Sequence, residues 1–189
     1  MKLINFPKGY ILSAFNGPTL EMTADLMLQI MTPIETNKAR ILDAAIEIER
    51  TIERIISHHF FGYEEERQAK ADEFTNQILN SDWCTFSSKR KLLSHIININ
   101  TYLEGKEKSN YEALLKKTMS HRNAFAHGEL STDGREVRLK FFESNLRIIT
   151  LTDDYFDKVE KELNECWEIS RQVGLNSGAF RIIGGENAG

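Results

Sequence analysis

The apolar residues Ile41, Ala45, Ile48, Ile52 and Ile55 recur at spacings of four, three, four and three, with Glu and Arg residues between them. That period lays one apolar stripe along an α-helix, and such a stripe must be covered by other elements. Upstream, Thr32-Pro33-Ile34-Glu35 combines a capping threonine, a proline at the first helical position and the glutamate of a capping box, and Gly62 offers a left-handed stop. The spacing predicts a helix over 33–60, on the order of 40 Å long. A helix of that length is the backbone of a bundle.

Four further helices follow from the same reasoning. Glu64, Glu65 and Glu66 place negative charge at the start of a helix over 64–80. Leu92, Leu93, Ile96 and Ile97 form the apolar face of a helix over 88–104, with Gly105 just past its end. A second capping box, Ser109-Asn110-Tyr111-Glu112, opens a helix over 110–127 that Gly128 stops. Phe156, Val159, Leu163 and Cys166/Trp167 define a helix over 153–173, ending before Gly174. Between the last two, Val137, Leu139 and Phe141 alternate with Arg138 and Lys140, and a β-rich stretch, Leu146 to Leu151, follows, which predicts a hairpin. The expected fold is therefore all-α: about five helices with a small β-hairpin inserted before the last long helix. Residues 32–175 form the domain, 1–31 an N-terminal extension, and 176–189 a Gly-rich tail. Within the extension, strands are expected near Leu3 to Phe6 and Tyr10 to Phe15, and a short helix near Leu20 to Met31.

Composition excludes several classes. At 189 residues with an apolar fraction of about 47% including glycine, the chain is a single globular domain rather than a disordered one. No apolar run reaches the ~18 residues of a membrane span, and the N-terminal stretch is broken at Asn5, Pro7 and Lys8, so no membrane anchor or signal peptide is expected. Cys84 and Cys166 lack metal-ligand spacing and read as reduced thiols of a cytoplasmic protein. His58-His59 diverge on a helix and have no evident third ligand, so no metal site is expected there. The net charge of −4 argues against generic phosphate-driven binding, yet 86–128 carries eight Lys or Arg against three Glu, leaving −9 elsewhere.

The candidate site closes the fourth helix in His121-Arg122-Asn123-Ala124-Phe125-Ala126-His127-Gly128. At 100° per residue, Tyr111, Leu114, Thr118 and Phe125 share the expected core face, and Lys116, Ser120, Asn123 and His127 form a polar stripe opposite. Arg122 projects roughly 140° from His127, beside Leu115 and Met119. One helix does not aim both side chains at one phosphate. Two copies packed about a two-fold axis do, since Arg122 of one protomer can approach the second copy's motif. His121 reads as a bystander.

Arg122, the polar Asn123 and, after four intervening positions, His127 resemble the Arg-x4-His signature of the HEPN superfamily, and the resemblance covers about Thr32 to Val173. It implies a metal-independent endoribonuclease with its composite site at a homodimer interface. His127 acts as base or acid, Arg122 holds the phosphate with its planar fork, and Asn123 orients the imidazole or the phosphate. Lys116 and Ser120 are then substrate-binding residues. RNA supplies its own nucleophile, the 2′-hydroxyl, so no cofactor is required, the product is a 2′,3′-cyclic phosphate, and DNA is not cut. The resemblance further implies a defence or toxin role, with a protein antitoxin or regulator as partner. One pattern of the family's toxins is missing: the tyrosine two residues after the histidine is Glu129 here. Control by nucleotide modification at that position is therefore not expected. Two competing readings are a non-catalytic module that binds RNA, a nucleotide or a protein, and a purely structural helical scaffold. Binding without turnover distinguishes the first of these, and absence of RNA affinity at any salt the second.

Overall fold

A computed structural model describes residues 2–6, 24–132 and 136–180. The expected strand near Tyr10 to Phe15 and residues 20–23 of the expected short helix lie outside these. Among the described residues the chain forms five helices, α1 (Ala24–Phe61), α2 (Glu65–Phe74), α3 (Phe86–Asn100), α4 (Gly105–His127) and α5 (Asp153–Asn176). Three strands, β1 (Glu129–Thr132), β2 (Val137–Glu143) and β3 (Asn145–Thr150), lie between α4 and α5, and a π-helical turn, Thr75–Leu79, follows α2. No helix among the described residues is long and apolar enough to cross a membrane.

Several helix ends differ from expectation. α1 begins at Ala24, with Pro33 inside it. Thr32 Oγ1 donates to the Leu28 carbonyl (2.8 Å) and so bonds back along the helix instead of capping it. Ser109 does the same to the Gly105 carbonyl (3.1 Å), and α4 starts at Gly105, five residues before the capping-box reading places it. The stop for α3 is Thr101, left-handed at φ 56°. A local cap signature reports that a helix can begin there; the preceding turn continues when its own residues are helix-compatible. Gly174 lies inside α5, where the Phe180 ring comes to 2.3 Å of the position a Cβ would take. Packing, not helix termination, requires glycine there.

The chain divides into two compact units. The first comprises Met1–Ile46 and Lys116–Glu165. Its sheet has the order β1-β2-β3, all antiparallel, with Leu130 opposite Leu139 and Phe142 opposite Leu146. The expected hairpin is the β2–β3 pair, and β1 adds a third strand that the sequence reading did not anticipate. Alternation buries Val137, Leu139 and Phe141. The Leu3–Phe6 segment is not a strand. Its backbone is held by α5 side chains: Asn164 Oδ1 accepts from the Leu3 and Ile4 amides (2.7 and 3.1 Å), Asn164 Nδ2 donates to the Ile4 carbonyl (2.9 Å), and Glu160 accepts from the Phe6 amide (2.8 Å). These bonds satisfy backbone groups that burial of Ile4 and Phe6 removes from water.

The second unit comprises Glu47–Leu115 and Cys166–Gly189. Ile48, Ile52, Ile55 and Ile56 of α1 are fully buried, as are Leu93, Ile96 and Ile97 of α3 apart from a trace of exposure. Tyr111 is fully buried with its hydroxyl 2.9 Å from Ser170 Oγ, which in turn donates to the Cys166 carbonyl (2.7 Å). Lys89, also buried, donates to both Glu49 (2.7 Å) and Glu53 (2.5 Å). Burial alone would lower its pKa, but hydrogen bonds to the two carboxylates outweigh that and hold it above the ordinary lysine value.

Candidate functional site

The C-terminal half of α4 is anchored by Phe125, which is fully buried and meets the rings of Tyr155 and Phe156 at 6.3 and 6.2 Å. Phe156 continues the cluster to Phe6 at 5.4 Å. Just beyond the helix, Gly128 is so closely enclosed that an added Cβ would stand 2.2 Å from the Ala124 carbonyl oxygen of the last turn of α4 and, on the β2 side, 2.6 Å from Leu139 Cδ1 and 3.1 Å from the Lys140 carbonyl. Its backbone is not left-handed, so the expected stop is a close approach of strand to helix instead.

This anchoring sets where the predicted residues point. Lys116, Asn123 and His127 are exposed, whereas Arg122 is half-buried. His127 has no hydrogen-bond or ionic partner among the described residues, so Arg122 and His127 of one chain do not pair. Ser120, expected to bind substrate, has its hydroxyl donated to Glu143 Oε1 at the end of β2 (3.0 Å). That carboxylate also lies 3.5 Å from Arg147. Glu129, exposed at the start of β1, is a second carboxylate just beyond the stripe. Among the described residues no group of three or more His, Cys, Asp or Glu side chains is placed to hold a metal ion.

The sequence reading missed a polar cluster one face away. His121, read as a bystander, is bonded through Nε2 to Glu162 Oε2 (2.9 Å), while Lys117 donates to Glu162 Oε1 (2.8 Å). His121 also meets the Tyr155 ring edge-on at 6.3 Å. The Tyr155 hydroxyl is buried without a hydrogen-bond partner among the described residues; burial first, and the Glu162 charge second, push its pKa up. Lys117 and His121 are one turn apart on α4, a spacing visible in the sequence, but Glu162 lies 41 residues from His121 and nothing local announces it.

Glu162 gives a measurable pH dependence. Burial alone would raise its pKa, yet the hydrogen bonds from His121 and Lys117, with their charges, outweigh it and hold the carboxyl at about 2, against an ordinary 4.5. Because the folded value is depressed, the stabilisation is fully present above pH 4.5 and is lost as pH falls toward 2. Urea unfolding of the wild type should therefore lose stability between those limits by more than Glu162→Gln does. Parallel curves for the two proteins would refute the assignment.

Comparisons with known protein families, with curated proteins and with solved structures return no match.

Proposed function

We propose that this chain is a metal-independent endoribonuclease of the HEPN type, cytoplasmic and active as a homodimer, with Arg122 and His127 as its catalytic pair. The observation that carries the reading is the position of His127 in the last turn of α4, exposed, in line with exposed Asn123 and Lys116, and five residues after a half-buried Arg122. In the dimer, His127 of one protomer removes the proton of an RNA 2′-hydroxyl. The oxygen attacks the adjacent phosphorus, and the bond to the 5′-oxygen breaks. His127 of the second protomer returns a proton to that oxygen, leaving a 2′,3′-cyclic phosphate and a 5′-hydroxyl. Arg122 neutralises the crowded phosphate and Asn123 orients it.

Glu129 and Glu143, carboxylates beside the stripe that repel a phosphate at the motif, favour a second reading, a non-catalytic module that binds a protein partner, or that holds RNA or a nucleotide away from the motif. One experiment separates the two. The purified protein is incubated with labelled RNA in EDTA, and its mass is measured by light scattering. Cleavage to cyclic-phosphate ends by a dimer, absent on 2′-O-methyl RNA, is the expected result. Binding without cleavage would establish the module instead, and a monomer at micromolar concentration would remove the composite site.

A further inference from the structure

Within the second unit, a cavity of about 700 Å³ opens between α1, α2 with its π-helical turn, and the segment that follows α5. That is within the size range of small-molecule sites. No residue proposed for RNA cleavage lines it. α1 contributes Arg50 and Arg54, one turn apart on a single helix face. Arg50 is held by Glu47 (2.6 Å), whereas Arg54 is exposed and has no carboxylate partner among the described residues. Two planar forks at this spacing match the oxygens of a phosphate. Glu53 also lines the cavity, but it is buried and bonded to Lys89, so its charge is compensated inside the fold.

α2 and the π-helical turn contribute a different chemistry. Gln68 donates to Asp72 (2.8 Å), which remains exposed as an acceptor, and Thr75 and Asn76 open the π-helical turn, an irregularity frequent at binding sites. The third contribution is aromatic. Tyr63 stands 4.5 Å from the His58 ring, and its hydroxyl donates to the Ala179 carbonyl. The Phe180 ring rests on Gly174, and the Phe180 amide donates to the Gly174 carbonyl (3.0 Å).

We propose that this cavity binds a phosphomonoester carrying a planar ring with hydrogen-bond donors, the chemistry of a nucleoside monophosphate. Arg50 and Arg54 take the phosphate, Tyr63 and Phe180 flank the ring, and Asp72 and Asn76 read its edge. The site is separate from the Arg122–His127 motif in sequence and in chemistry, so either assignment can fail without the other. The test is calorimetric titration of the full chain with adenosine 5′-monophosphate, cytidine 5′-monophosphate, phenyl phosphate, adenosine and inorganic phosphate. Adenosine 5′-monophosphate should bind, and Arg54→Gln, an exposed change that leaves the core intact, should weaken it by about tenfold or more. Phe180→Ala should weaken adenosine monophosphate and phenyl phosphate but leave inorganic phosphate unchanged, while His127→Ala leaves all three unchanged. Absence of binding by all three organic phosphates up to about 10 mM, or equal affinity in wild type and Arg54→Gln, overturns the proposal.

Discussion

Replacing His127 or Arg122 with alanine should reduce RNA cleavage at least about a hundredfold while leaving the protein folded. The expectation rests on our proposed function and on where the two side chains stand. His127 is exposed in the last turn of α4, where loss of a favourable contact with the helix dipole costs only about 0.3–1 kcal/mol. Arg122 is half-buried, so its alkyl stem contributes packing, and Arg122→Lys is the cleaner control. Lysine keeps the charge and most of the stem but lacks the bidentate fork, and activity should still fall. Cleavage rates at matched folded concentration, read beside melting temperatures, make the distinction. Melting temperatures lowered by several degrees with cleavage intact would mean that the motif is a structural cap. Loss of cleavage at an unchanged melting temperature is the expected outcome.

Phe125→Ala should have the opposite profile, destabilising the protein by about 3–5 kcal/mol. Phe125 has no exposed surface and joins Tyr155 and Phe156 in a ring cluster that fixes the end of α4 against α5. Truncation leaves a cavity whose walls cannot collapse fully, because Phe156 is itself held by Phe6. Urea denaturation measures the loss directly. RNA cleavage in this variant should fall at least in proportion to its folded fraction, since the ring anchors the end of α4 that carries Arg122 and His127. A change under about 1 kcal/mol would show that the cluster does not anchor α4.

Both predictions depend on the same helix read in two ways. The burial of Tyr111, Leu114, Thr118 and Phe125, and the exposure of Lys116, Asn123 and His127, follow from a 3.6-residue period that any single sequence carries. Ser120 is the departure: it lies on the polar stripe, yet its hydroxyl is engaged by Glu143, which arrives from β2. Whether a polar residue on a predicted face is available depends on what the rest of the chain brings to it.

Apolar periods, with the acidic start of α2 and the capping box of α4, were enough to place the five helices, the buried faces of α1, α3, α4 and α5, and the alternation along β2, because helix and strand geometry are properties of consecutive residues. Gly62, left-handed at φ 65° with its amide bonded to the His58 carbonyl, was legible for the same reason. Only the tertiary structure decided the rest. Pro33 sits inside α1 and Ser109 inside α4 because each preceding turn continues the helix, overriding a cap signature that reports local possibility alone. Gly128 and Gly174 are small because β2 and Phe180 pack onto them, and the His121–Glu162–Lys117 cluster exists because α4 and α5 meet. Each of these joins residues whose separation along the chain is set by the fold, and no local pattern encodes a partner whose position depends on how the helices pack.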